Sequence, residues 1–166
     1  MFKAIYPDEY LDSTYEIDFE QLYEDGYRGI IFDIDNTLVP HNAPADERSK
    51  KLLNYLRDRG FKIVLLSNNS KARVDMFNKD LHLDCIPMGA KPFLKNYKKA
   101  MEIMGTEKDN TFFVGDQLFT DVWGAKRLGI RSILVKPINA REEIQIVLKR
   151  KLENIVMKEY DENKKN

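Results

Sequence analysis

An α/β fold built on a parallel sheet with helices on both faces is what this sequence predicts, on two observations. From Gly29 onward, short apolar runs alternate with single amphipathic segments. Runs that are apolar at nearly every position read as strands buried on both faces, and one helix between successive strands makes parallel crossovers. With 166 residues, one domain is expected, long enough to bury a core without disulfide or metal staples.

The elements follow in order. Gly29–Ile34 is a buried strand. A helix starts near Ala45 behind Pro44, carries Leu52, Leu53 and Leu56 on one face and closes at Gly60. Phe61–Leu66 is the second strand, and Ser70 caps a segment whose Val74, Phe77 and Leu81 recur at helical spacing. Cys85–Met88 reads as a short strand, Phe93–Met104 as a helix ended by Gly105, and Thr111–Val114 as a strand. Asp121–Leu128 is a helix ended by Gly129, and Ile130–Val135 a last strand. Ile144, Val147, Leu148, Leu152, Ile155 and Val156 form a helical stripe expected to pack on the sheet. Residues 1–17 are an N-terminal arm of undetermined form, helical or extended, and 158–166 a frayed polar tail.

Composition narrows the function classes. The formal net charge is zero, which argues against general binding of nucleic acid. Residues 1–35 nonetheless carry ten acids against Lys3 and Arg28, a local charge of −8 that the rest of the chain balances. The single cysteine, Cys85, fits a reducing compartment and a small core residue. No secretory signal and no apolar run long enough to span a bilayer is visible, so a soluble, cytoplasmic protein is expected.

The chemistry concentrates at strand ends. Asp33 and Asp35 stand at the carboxyl end of the first strand, where doubly wound sheets bind their ligands. Two carboxylates buried together repel unless a cation offsets them, and a hard divalent ion such as Mg²⁺ suits oxygen ligands. Gly115-Asp116 ends another strand in an equivalent position, the glycine letting the backbone bend, and Asp121 follows. If the two strands are neighbours, Asp116 completes a metal shell with Asp121 behind it or at a helix N-terminus. Ser67-Asn68-Asn69 ends the second strand before a helix, where a hydroxyl and N–H groups hold a phosphate oxygen. Lys91, before Pro92, is placed to neutralise a phosphoryl group and a nucleophilic carboxylate together. His41 reads as an exposed loop residue, Trp123 as core, and Lys149-Arg150-Lys151 as a basic strip beside the last helix's stripe.

These segments resemble the haloacid dehalogenase (HAD) superfamily of phosphatases. Asp33-x-Asp35-x-Thr37 matches its first motif, Ser67 its second, Lys91 its third, and Gly115-Asp116 through Asp121 its fourth. Ile31–Val39, Leu66–Asn69 and Gly115–Ala125 are similar to the YqeG-type branch of subfamily IIIA, which is itself similar to phosphatidylglycerophosphate phosphatases. The resemblance implies a three-layer α/β/α Rossmann-like sheet and an aspartyl-phosphate mechanism. In it Asp33 attacks phosphorus and Asp35 serves as acid and then base. It further implies Mg²⁺ held by the carboxylates of Asp33 and Asp116 and the backbone carbonyl of Asp35. Ser67, Asn68 and Lys91 are then the phosphate-binding residues, and Thr37 orients the loop. The short segments after Thr37 and between Ser67 and Lys91 leave no room for a cap domain, which suits a large substrate or a lipid headgroup.

The expected partner is therefore a phosphorylated substrate, foremost phosphatidylglycerophosphate in phospholipid biosynthesis, with peripheral contact at the inner membrane face. A homo-oligomer stays open. The alternatives are a soluble sugar, nucleotide or nucleic-acid-terminus phosphate, and a non-catalytic, Mg²⁺-dependent phospho-accepting module.

Overall fold

The computed structural model describes residues 2–139 and 144–165. The strands β1 (Glu9–Leu11), β2 (Gly29–Phe32), β3 (Lys62–Leu66), β4 (Asp84–Ile86), β5 (Thr111–Gly115) and β6 (Arg131–Val135) form one sheet in the order β1-β6-β5-β2-β3-β4. Every pairing is parallel. The helices are α1 (Phe19–Glu24), α2 (Glu47–Arg59), α3 (Lys71–Asn78), α4 (Leu94–Met104), α5 (Trp123–Leu128) and α6 (Ile144–Lys164).

Alternation along the strands sorts the core into layers. Ile30, Phe32, Phe112 and Val114 face α1, α2 and α3, whereas Ile31, Val64 and Phe113 face α4 and α5. A third cluster joins Leu134 of β6 to Val156, Met157 and Tyr160 of α6. Local chemistry sets the helix ends. Asp46 accepts from the Ser49 N–H at 2.8 Å to cap α2, and Gly60 ends it at φ 113°.

The order of the sheet decides where a site can form. The chain passes from β2 outward to β3 and β4, then returns to β5 on the other side of β2. The crevice between the carboxyl ends of β2 and β5 is therefore the topological switch point, with Phe32 paired to Val114. No inserted domain covers this edge among the described residues, because α3 alone lies between β3 and β4.

At the N-terminus the structure gives form to an arm the sequence left open, and at the C-terminus it departs from the sequence reading. The arm before Asp18 forms short 3₁₀ turns and β1, which pairs with β6 and extends the sheet. It also braces the loop after β2: Thr14 Oγ1 donates to the Thr37 carbonyl at 2.8 Å and Tyr15 OH to the Leu38 carbonyl at 2.6 Å. Residues 158–164, expected to fray, continue α6 as helix. The α6 stripe is corrected too: Leu148, Leu152 and Ile155 are exposed, and the packed face is Glu153, Val156, Met157 and Tyr160. A glutamate belongs to that face because it pairs with Arg150 and accepts from the Phe119 N–H. The side chains of Ile144 and Val147 lie outside the described ones. Trp123, read as core, is 39% exposed beneath the Arg127 guanidinium.

Leu53 and Leu56 are fully buried on α2, whereas Leu52 is only half-buried. Leu56→Ala should therefore cost about 2–5 kcal/mol, and Leu52→Ala clearly less. Urea unfolding of the two variants checks the order.

Candidate active site

Asp33 follows β2 directly, and its N–H donates to the Val114 carbonyl at 3.0 Å, which continues the β2–β5 ladder to the crevice. Asp116 follows β5. Thr37 Oγ1 lies between the two carboxylates, 3.0 Å from Asp33 Oδ2 and 3.3 Å from Asp116 Oδ1. Asp33, Asp116 and Asp121 are all buried, and one carboxylate oxygen from each falls within 4.8 Å of the others.

Lys91 balances this negative charge. Its Nζ lies 2.8 Å from Asp33 Oδ1 and 2.7 Å from Asp121 Oδ1, with the side chain 3% exposed. Burial alone pulls an ammonium's pKa down, but the Asp121 and Asp33 carboxylates outweigh it and hold Lys91 above its ordinary value. Desolvation pushes the Asp121 carboxyl up to about 6, against the pull of Lys91. Burial likewise raises Asp116 well above the usual carboxylate range, and the Asp33 charge adds to the effect. Asn68 fixes the backbone that carries the lysine. It accepts from the Lys91 N–H at 2.7 Å and donates to the Lys91 carbonyl at 3.2 Å.

Asp121 stands behind Lys91 rather than at the mouth. It accepts from Lys91 and from the Gln117 N–H at 3.0 Å, at the start of a π-helical turn, Leu118–Val122. This explains Gly115 differently from the sequence expectation of a bend. A Cβ there would meet the Asp121 carboxylate at 2.4 Å, so the glycine serves a close approach.

Asp35 is brought to the same mouth, where groups outside the three-carboxylate cluster hold its carboxylate. Asn36 turns the chain at φ 61°, and Asp35 Oδ1 takes the Asn42 N–H at 2.7 Å and Arg73 Nη2 at 2.9 Å. Asn69 Nδ2 lies 3.4 Å from Oδ2. His41, read as an exposed loop residue, is exposed but places Nδ1 3.7 Å from Asp35 Oδ1. Ser67 is buried at the end of β3, its Oγ accepting from the Asn69 N–H at 3.0 Å.

Sequence reasoning missed two residues. Arg73 is buried on α3 against Asp35, and it precedes Phe77 by one helical turn. An arginine on an apolar stripe was the available signal. Arg150 of α6 forms an ion pair with the Asp116 carboxylate, donates to the Asp116 carbonyl, and pairs with Glu153 at 3.1 Å. It read as part of a surface strip, since nothing local links α6 to Asp116.

The comparisons with known proteins bear on this arrangement. The model for "haloacid dehalogenase-like hydrolase" matches residues 41–129. The Bacillus subtilis (strain 168) protein named "Probable phosphatase YqeG" is 33% identical over 156 residues, 93% of this chain and 91% of that one. The chain belongs to the haloacid dehalogenase-like hydrolases. Within that family it is a phosphatase. Phosphatidylglycerophosphate phosphatase 1, chloroplastic/mitochondrial, of Arabidopsis thaliana is 26% identical over 161 residues, and this chain spans 44% of its length. A crystal structure of an uncharacterized protein from Listeria monocytogenes serotype 4b superposes with a TM-score of 0.56 at 18% identity. It covers 70% of this chain and 85% of that one, so the two share a fold.

Replacing Lys91 leaves Asp33 and Asp121 buried without their shared cation. Lys91→Met should destabilise the protein in chelator by about 3–5 kcal/mol, measured by urea unfolding.

Proposed function

We propose that this phosphatase hydrolyses phosphomonoesters with Mg²⁺ through an aspartyl-phosphate on Asp33, and that its substrate is phosphatidylglycerophosphate. The observation that carries the reaction is the crevice itself. A carboxylate lies at the open end of β2, with a buried ammonium on one side and a second buried carboxylate on the other.

The donor set fits Mg²⁺. Three buried carboxylates face two cations, Lys91 and Arg150, and hard oxygen donors beside a phosphate site suit this ion. Asp33, Asp116 and the Asp35 carbonyl would hold it, with Asp121 supporting from behind through Lys91. Bound there, Mg²⁺ supplies positive charge against the phosphoryl oxygens.

The side chains divide the remaining work. An Asp33 oxygen attacks phosphorus and the ester P–O bond breaks, with Asp35 giving its proton to the leaving alkoxide. Water then attacks the phosphoryl group, Asp35 takes a proton from it, and the Asp33 carboxylate is released with inorganic phosphate. Lys91, the Ser67 hydroxyl and the N–H groups after β3 hold the phosphoryl oxygens. Asn68 acts by fixing Lys91. Thr37 aligns the Asp33 and Asp116 carboxylates, and Arg73 positions Asp35.

Three features support the lipid assignment: the likeness to the Arabidopsis phosphatase, the uncovered mouth, and a neighbouring cavity. This cavity, ≈ 300 Å³, adjoins Asp116, with Leu118, Leu134 and Met157 among its apolar lining and Arg150 and Lys151 on its wall. The apolar part of that lining suits the glycerolipid body of a leaving alcohol, while Arg150 is itself paired with Asp116 and Glu153 on the same wall. The reading carries with it peripheral contact at the inner membrane face. No helix among the described residues is long and apolar enough to cross a membrane.

Phosphate release from phosphatidylglycerophosphate in mixed micelles and from soluble phosphomonoesters, with and without Mg²⁺, tests both halves. Mg²⁺-dependent release favouring the lipid is expected, with Asp33→Asn lowering it on the order of 10³-fold or more. Preference for a soluble ester removes the lipid assignment, and full activity in Asp33→Asn removes the covalent mechanism.

A further inference from the structure

The large apolar side chains that the fold leaves in water are not scattered. Among the described residues, Met88, Phe93, Leu148, Leu152 and Ile155 are each 58–69% exposed, and no other large apolar side chain exceeds 45%. Met88 and Phe93 flank Lys91 in the β4–α4 loop, which carries the ammonium to Asp33. Leu148, Leu152 and Ile155 recur at i, i+4 and i+7 on α6, which carries Arg150 to Asp116. Single exposed apolar residues need no explanation. Five confined to two segments that each lend a cation to one site do.

The exposed charges across residues 85–101 and 144–155 share one sign, since Glu153 is buried against Arg150. Residues 85–101 contain four lysines and no carboxylate, and Lys95 and Lys98 are exposed. Residues 144–152 contain Lys149, Arg150 and Lys151 and again no carboxylate, with Lys151 exposed. At the amino-terminal end of the strands the charges are mixed: α1 holds Glu20 and Glu24 between Asp18 and Asp25, but Glu20 pairs with Arg59 at the end of α2, and Lys62 begins β3. Exposed apolar and cationic together, these two segments are complementary to a surface that is anionic outside and apolar within.

From this we infer that the rim formed by Met88 and Phe93 on one side and the first turns of α6 on the other docks on an anionic bilayer. The catalytic edge then faces the headgroups. The inference rests on the reading that the substrate phosphate is carried by a lipid, but docking requires no turnover, so the two can fail separately. Phe93, Met88 and Leu148 enter the headgroup layer while Lys95, Lys98 and Lys151 meet lipid phosphates. A two-fold pair burying the same leucines would bring these lysines face to face, which like-charge repulsion opposes.

The test is co-sedimentation of the full chain with vesicles of phosphatidylcholine alone or with phosphatidylglycerol added. Binding to the anionic vesicles is expected, reversed by high salt, and weakened about tenfold or more in Phe93→Ser/Leu152→Ser. The double variant should keep its Mg²⁺-dependent hydrolysis of p-nitrophenyl phosphate. Equal sedimentation with both vesicle types, or unchanged binding by the double variant, overturns docking. Self-association without lipid that the same substitutions abolish, seen by sedimentation velocity, also overturns it and assigns the surface to a second copy. A short-chain, monomeric phosphatidylglycerophosphate separates the two readings. Its cleavage without vesicle binding removes docking alone, and vesicle binding without its cleavage removes the substrate reading alone.

Discussion

Lys91 holds its ammonium 2.8 Å from Asp33 and 2.7 Å from Asp121 in a place nearly closed to water, and much of the surrounding structure follows from that contact. A buried lysine is tolerated only beside carboxylates, and buried carboxylates only beside a cation or strong donors. The sheet supplies the carboxylates from two neighbouring strand ends, Asn68 fixes the lysine's backbone, and Gly115 gives Asp121 the space to reach it. Asp116 has a different counter-charge, Arg150, which comes from the far end of the chain. The site is therefore not a local motif. It closes only when the sheet order and the last helix are both in place.

The same dependence explains the termini. The arm carries β1, which covers the β6 edge that would otherwise present unpaired backbone groups, and its Thr14 and Tyr15 hold the carbonyls of the loop behind Asp35. Helix α6 packs Val156, Met157 and Tyr160 against Leu134 and the residues before β1, and from that anchor its first turns reach the mouth. Stability and reactivity share these contacts, since each terminus both buries apolar surface and fixes a group near the reacting carboxylate.

The parts legible in the sequence are those fixed by local pattern. β2, β3 and β5 are continuous apolar runs, α2 has its leucines at helical spacing and its stop at Gly60, and Ser70 caps α3. Asp33, Ser67, Lys91 and Asp116 were legible because each ends a strand or opens a helix. Arg73 and Arg150 were not, since their partners lie 38 and 34 residues away and no periodicity connects them. The α6 stripe misled for a related reason. Its packed face includes Glu153, paired to Arg150, so the more apolar-looking face in the sequence is the one left in water. Asp35 lies between these cases: its place at the strand end was readable, while its turn toward Arg73 depends on the left-handed Asn36 and on a helix 38 residues on.

The central claim is that Asp33 itself becomes phosphorylated, and chemical trapping reaches it most directly. The protein would be mixed with substrate and Mg²⁺, quenched in acid during turnover, reduced with borohydride, and mapped by peptide mass spectrometry. An acyl phosphate on Asp33 is reduced to homoserine, so homoserine at position 33, dependent on both substrate and Mg²⁺, is the predicted result. Turnover that leaves Asp33 unmodified, with the adduct on another residue or absent, would contradict the account.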